Sequence, residues 1–219
     1  MSIAIVHHGD EKHLLYIARV SSNQENVDPG LIDYLMRNGH WSPFEMIGAC
    51  VEIETTRDIG RQILRHRSFS YQEFSGRYAT YSDLRNDREI RFKGGTNRQG
   101  SIAPETPEQA EAAEQLTHAL RDFTRYAASL YRDMLDQGVA PECARAVLPE
   151  GLVPTRMYMN GTLRSWIHYL KERLHTDPKR GHKVAQAEHV ALAEQIYDAL
   201  SLTFPMTFAA IEQSGYIER

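Results

Sequence analysis

Residues 62–78, QILRHRSFSYQEFSGRY, gather side chains suited to holding a phosphorylated ligand. Arg65, His66 and Arg67 stand side by side, and a guanidinium presents a planar fork of donors that matches phosphate oxygens. Ser75 and Gly76 offer a hydroxyl and a backbone N–H that a ligand can approach closely, and Arg77 follows them. Glu73 supplies an acceptor for a sugar hydroxyl or a base N–H. Arg57, Arg61 and Arg65 recur at i, i+4 and i+8, so a helix from Thr56 to about His66 puts them on one face. Like charges at that spacing disfavour a helix by about 0.2–0.5 kcal/mol per pair. A solvated basic face is the plain alternative for that helix taken alone. The string behind it points instead to a ligand that is both phosphorylated and rich in hydrogen-bonding groups, such as a nucleotide.

Two further segments have the same character. HWSPFE at 40–45 mixes polar and aromatic groups at a helix-to-strand connection, where the plain alternative is a capped turn with a buried Trp. TLRSWIHYLKER at 162–173 places Arg164 and His168 on one helical face while Trp166, Ile167 and Leu170 pack. GxGxxG, GxxxxGK[ST], HExxH and CxxC motifs are all missing, which removes support for a Rossmann site, a P-loop or a zinc finger. Cys143 lies at a helix start, yet no base or orienting group accompanies it, so a buried structural thiol is the favoured reading; Cys50, inside IGACV, reads as core. His175, His182 and His189 recur every seven residues, and an exposed polar helix face is favoured there over a metal site.

The elements that must position these groups come from a chain of 219 residues, 42% hydrophobic, 25% charged, with net charge -4. That is too apolar for disorder, and no run of about 18 apolar residues suggests a membrane span. The start MSIAIVHHGDEKH lacks the basic lead of a secretion signal, so a cytoplasmic protein with reduced thiols is expected. Residues 57–98 hold ten Lys/Arg against five acids, and residues 105–142 hold eight acids against three arginines. A local basic block suits an anionic small molecule better than a long polyanion. Helices are expected at 10–22, from Asp28-Pro29 to Gly39, at 56–66, from Thr106-Pro107 to Gly138, at 141–147, at 162–174 and from about 183 to 202, where Phe204-Pro205 ends the last one. Strands are expected at 47–55 and 153–160, with loops at 67–81 and 84–104. The class is α+β (irregular α/β), and no clean linker divides the chain.

Taken together, these residues resemble the signature of the flavin-dependent thymidylate synthases: Arg-His-Arg, seven residues, Ser, then Arg-Tyr. Here these are Arg65, His66, Arg67, Ser75, Arg77 and Tyr78. The resemblance extends in matching order to HWSPFE, CARAVLP at 143–149, the helix at 162–173, AQAEH at 185–189 and FPMTF at 204–208. It implies a helix-rich single domain over 1–219 with a small antiparallel sheet. It implies conversion of dUMP to dTMP, with methylenetetrahydrofolate as carbon donor, FAD as hydride carrier and NADPH as reductant. The implied assembly is a homotetramer with active sites shared between subunits. No cysteine nucleophile is needed, in keeping with the absence of a convincing one.

By resemblance, Gln62, Arg65, Glu73, Phe74, Ser75, Gly76, Arg77, Arg145 and Arg173 hold dUMP. Ser42, Arg65, His66, Arg67, Glu73, Thr162, Arg164 and His168 contact FAD, with His40 close by. Arg173 is the implied catalytic group: a guanidinium against the uracil favours loss of the N3 proton, which makes C5 a better nucleophile. No metal, nucleic acid or membrane is implied.

The sequence departs from the family pattern at a few places. Gln72 stands where the signature often has Asn, His168 where some members have Asn, and the stretch between Arg173 and Ala185 is longer than usual. Val184 falls where a flavin-contacting His is common, with His182 nearby to replace it, and 84–104 is expected to move over the site. Two other functions compete. An RNA-binding regulator would use the basic block, but Glu73 and the acidic helix oppose it. A metal hydrolase would use His182, Glu188 and His189.

Overall fold

The computed structural model describes residues 1–20, 28, 30–81, 83–94, 100–177, 182–183 and 185–217. In chain order the elements begin with β1 (Ser2–His8), α1 (Lys12–Arg19), α2 (Gly30–Arg37), β2 (Gly48–Thr56), α3 (Arg57–Ile63) and β3 (Ser70–Glu73). Next come β4 (Phe92–Lys93), β5 (Ser101–Ile102), α4 (Pro107–Asp136) and α5 (Pro141–Ala144). The chain closes with β6 (Pro154–Thr162), α6 (Leu163–Leu174), β7 (Thr176–Asp177), β8 (His182–Lys183), α7 (Ala187–Thr203) and α8 (Pro205–Ser214). One sheet has four strands in the order β1-β2-β6-β3, while β4 with β5 and β7 with β8 form two-stranded antiparallel pairs. The α+β class, helix-rich with a small sheet, therefore holds. The chain divides into two compact units: Met1–Ile53 with Leu64–Gln72 and Met157–Arg219, and Glu54–Ile63 with Glu73–Arg156.

In the first unit, the alternation of IGACVEI fixes β2: Ala49, Val51 and Ile53 are buried and their neighbours are not. Glycines allow β2 and β6 to approach closely. A Cβ on Gly48 would lie 2.4 Å from the carbonyl oxygen of Gly161, and one on Gly161 would lie 2.3 Å from the Phe69 ring. Leu163, Trp166, Ile167, Leu170 and Leu174 of α6 and Leu192, Ile196 and Leu200 of α7 are fully buried. The helix expected from about 183 to 202 is α7, which starts at Ala187, and α8 after it was not anticipated. Pro205 ends α7 and also opens α8, because a proline needs no acceptor at the first helical position. The buried Glu11 carboxylate caps α8, accepting from the N–H groups of Met206 (2.9 Å) and Thr207 (3.0 Å).

In the second unit, Thr106 caps α4 by accepting from the Gln109 N–H at 3.2 Å, and Pro107 is its first residue. The helix runs 30 residues, as its pattern requires, and Gly138 follows it with φ 81°. Only Thr124, Ala127 and Tyr131 of α4 are buried.

Other expectations are corrected. Thr56 is the last residue of β2 rather than a separate cap, and α3 ends at Ile63, so Arg65 lies beyond the helix and shares no face with Arg57 and Arg61. The loop at 67–81 contains β3, and the loop at 84–104 contains the β4–β5 pair. β1 was not anticipated, since SIAIVHH half-buries only Ile3 and Ile5. Ser21, Ser22, Pro29, residues 95–99, residues 178–181 and Val184 lie outside the described residues.

Candidate functional site

In the first unit, α6 is started by its own sequence: Thr162 accepts from the Ser165 N–H at 3.2 Å, satisfying one of the orphan donors of the first turn. With Trp166, Ile167 and Leu170 buried, Arg164 and His168 are left on the other face. Arg164 pairs with Glu45, the last residue of a 3₁₀ turn that opens at Ser42. His168 lies 4.9 Å from the Trp41 ring, and burial, followed by the cations Arg164 and Lys171, lowers its pKa. Phe44, not Trp41, is the buried aromatic of HWSPFE. His40 stacks on Tyr34 at 6.1 Å.

Arg173, at the C-terminal end of α6, aims its guanidinium at His66. Both Nε and Nη2 donate to His66 Nε2, at 3.0 and 2.6 Å. An Nε2 that accepts must be unprotonated, so His66 is a neutral imidazole with its proton on Nδ1. Burial first, then the Arg173 cation, pushes its pKa down to about 4. Among the described residues no carboxylate pairs with Arg173. Arg65 and Arg67, on either side of His66, are exposed.

Behind His66 lies a second layer. The Tyr169 ring meets it edge-on at 4.9 Å, and the Tyr169 hydroxyl is hydrogen-bonded to His189 Nε2 at 3.0 Å. Burial raises the Tyr169 pKa, and burial followed by Arg173 pushes His189 down to about 3. The Tyr71 hydroxyl donates to the His66 carbonyl at 2.8 Å, and burial raises its pKa to about 12. A cavity of about 450 Å³ in this unit is lined by His7, Glu45, Ser68, Ser70, Asn160 and Thr162 among others.

The second unit holds the remaining predicted residues: Gln62 on α3, Glu73, Phe74, Ser75, Gly76, Arg77 and Arg145. Glu73 accepts from the Thr155 hydroxyl at 2.7 Å, and the Phe74 N–H donates to the Arg156 carbonyl at 2.9 Å. Ser75 Oγ accepts from the Arg77 N–H at 3.4 Å. Gly76 touches Tyr81 so closely that a Cβ there would sit 2.6 Å from the ring. Arg77 reaches Glu142 at 3.5 Å, and the Glu142 carbonyl accepts from Arg145 Nε at 3.4 Å, so one residue links the two arginines. A cavity of about 440 Å³ is lined by Arg57, Arg61, Tyr81, Glu142, Arg145 and Glu150 among others.

The sequence reading missed Tyr81, Glu142, Tyr169 and His189 as neighbours of the predicted groups. The tyrosines were visible only as aromatics in polar strings. Both cysteine expectations are corrected: Cys143 is exposed and Cys50 only half-buried, with burial raising the Cys50 pKa. The three-histidine face is also corrected, because His182 is on β8 and His189 is fully buried on α7. Among the described residues no group of three His, Cys, Asp or Glu side chains is placed to hold a metal ion, and no helix is long and apolar enough to cross a membrane.

A family model described as thymidylate synthase complementing protein matches residues 4–206. The probable flavin-dependent thymidylate synthase of Paramecium bursaria Chlorella virus 1 is 36% identical over 208 residues, covering 92% of this chain and 90% of that protein. The flavin-dependent thymidylate synthase of Synechocystis sp. is 40% identical over 201 residues, covering 91% and 88%. The crystal structure of the UMP/dUMP methylase PolB from Streptomyces cacaoi bound with 5-Br dUMP matches with a TM-score of 0.83 at 26% identity, covering 100% of this chain and 97% of that one.

Proposed function

The chain belongs to the thymidylate synthase complementing protein family, with flavin-dependent thymidylate synthases among its relatives, and from that membership we propose that it methylates dUMP to dTMP. Methylenetetrahydrofolate supplies the carbon, NADPH the reducing equivalents and FAD carries the hydride. Tetrahydrofolate and NADP⁺ leave with dTMP. The protein works in the cytosol as a homotetramer with shared sites, each chain serving as one functional domain.

The observation that carries this reading is Arg173. It is a half-buried guanidinium held by a neutral imidazole, with no carboxylate to neutralise it among the described residues. Its charge is free to stabilise an anion that forms next to it. Placed against the uracil, it favours the N3 anion and raises the nucleophilicity of C5. His66 orients it without competing for its charge, because an imidazole that stays neutral contributes only a lone pair. Gln62, Arg65, Arg145 and residues 73–77 hold the nucleotide: arginines for the phosphate, Glu73 for sugar or base, Gly76 for close backbone approach.

The donor chemistry also fits a flavin nucleotide. Arg65, Arg67 and Arg164 suit a pyrophosphate. His66 and His168, both held neutral, offer hydrogen bonds without added charge, and Ser42 and Thr162 add hydroxyls. When bound, FAD supplies hydride transfer.

The test is a visible spectrum of the purified protein incubated with FAD and desalted, before and after dUMP, followed by a dTMP assay. A retained flavin spectrum that shifts with dUMP, together with dTMP formation, is expected. A protein that retains no flavin and makes no dTMP refutes the reading.

A further inference from the structure

We infer that Tyr169 and His189 are positioning residues for the reaction: they set the His66 ring so that its Nε2 meets Arg173, and so aim the guanidinium assigned to the uracil. This rests on the dUMP reading above and gives a task to two buried residues outside both ligand sets.

All the groups concerned belong to the first unit. Arg173 leans on one atom, His66 Nε2, through two donors at 3.0 and 2.6 Å. The lone pair of Nε2 lies in the ring plane, so the tilt of the imidazole sets the direction from which Arg173 approaches. His66 lies between α3 and β3, outside either element, and its setting has to come from its neighbours. The Tyr71 hydroxyl donates to the His66 carbonyl at 2.8 Å and holds the backbone. The Tyr169 ring, 1% exposed, stands 4.9 Å from the imidazole with the two planes 80° apart, the edge-to-face geometry that aromatic pairs prefer.

Tyr169 is fixed in turn at its far end, where its hydroxyl is hydrogen-bonded to His189 Nε2 at 3.0 Å. Tyr169 is on α6 and His189 on α7, so this bond ties the helix that carries Arg173 to the next one. The His189 ring also lies 6.4 Å from that of His66. Packing alone does not call for such a pair. The other rings around Tyr169 are those of Trp166 at 5.9 Å and Phe69 at 6.1 Å, and apolar side chains can fill a site of that kind without leaving a polar group to satisfy. The buried hydrogen bond adds rigidity and direction. Transition-state stabilisation depends on placement to within a fraction of an ångström, which supporting groups of this kind provide.

The test measures kcat per bound flavin, the KM for dUMP and urea stability in wild type, Tyr169→Phe, His189→Leu, His189→Gln and Tyr169→Phe with His189→Leu. Tyr169→Phe and His189→Leu are each expected to lower kcat about three- to tenfold, the worth of one hydrogen bond, and to leave KM within about twofold. KM is spared because the groups at 62 and 73–77 assigned to the nucleotide are intact. His189→Gln, whose amide can bond the Tyr169 hydroxyl, is expected to keep kcat within about twofold of wild type. The double variant leaves no unpaired member of the bond, yet stays as slow as the single ones. In a His66→Gln background an amide oxygen replaces Nε2 and the ring is gone, so adding Tyr169→Phe changes kcat by less than about twofold.

A wild type that makes dTMP beside a Tyr169→Phe variant with kcat per flavin within about twofold of it overturns the inference and leaves the methylation reading standing. So does an undiminished effect of Tyr169→Phe in the His66→Gln background, or a kcat that follows urea stability across the variants, as a merely structural pair requires. A wild type that makes no dTMP sinks the methylation reading and the inference with it. Should His189→Leu fail to fold, Tyr169→Phe and His189→Gln carry the same comparison.

Discussion

Replacing the buried Tyr169–His189 pair by apolar residues should make the protein less sensitive to acid. His189 is fully buried and hydrogen-bonded to the Tyr169 hydroxyl, and burial, followed by the Arg173 cation, lowers its pKa to about 3 against 6.5. In the unfolded chain it titrates normally. As the pH falls through 6.5 the unfolded state takes up a proton that the folded state refuses, so stability is full above 6.5 and declines toward pH 3. At pH 4.5 the loss attributable to His189 is about 3 kcal/mol. Tyr169→Phe with His189→Leu removes both members of the hydrogen bond, so it should cost less at pH 7.5 than His189→Leu alone. His189→Leu alone strands a buried hydroxyl and costs about 1–3 kcal/mol at both pH values. Urea unfolding at equal protein concentration, followed by tryptophan fluorescence at pH 7.5 and 4.5, measures the difference. His66 titrates in all the variants and largely cancels in the comparison. If wild type and the double variant lose stability in parallel, to within about 0.5 kcal/mol, His189 is not held neutral and the reasoning fails.

The other predictions concern the site and its supports. Arg173→Ala should abolish dTMP formation while leaving the oligomer unchanged by size-exclusion chromatography; near-normal turnover removes its role. Arg65→Ala should weaken both dUMP and FAD in equilibrium titrations, and unchanged affinity for both excludes it from the site. Gly48→Ala drives a Cβ to 2.4 Å from a backbone carbonyl oxygen that cannot swing aside, so a loss of about 1–3 kcal/mol in denaturant unfolding is expected. Glu11→Ala strips the cap from α8 and should cost about 1–3 kcal/mol, whereas Glu11→Gln should recover part of it by keeping an acceptor oxygen.

Local chemistry accounts for the parts that were legible in advance. Thr106-Pro107 and Gly138 bracket α4, and Thr162 caps α6, because caps, prolines and glycines act through backbone donors and acceptors a few residues away. The alternation in β2 announced a half-buried strand for the same reason. The arginine-rich string could be read as a nucleotide site because a phosphate and a base demand those side-chain types wherever the chain places them.

Pairing at a distance was not legible. β1 and β3 carry weak patterns of their own, and they are strands because the sheet order β1-β2-β6-β3 supplies partners far along the chain. The helix stop at Ile63, which takes Arg65 off the α3 face, has no Gly or Pro to announce it. Nothing near His66 in sequence says that Arg173 donates to it, nor that Tyr169 and His189 stand behind it. The type and spacing of residues determined which ligand chemistry this protein can serve. Tertiary structure alone decided which charges are neutralised: Glu142 and Glu150 go to Arg77 and Arg61, and among the described residues Arg57 and Arg145 have no carboxylate partner. Charge pairing falls off over a few ångströms, and only the folded chain sets separations that short.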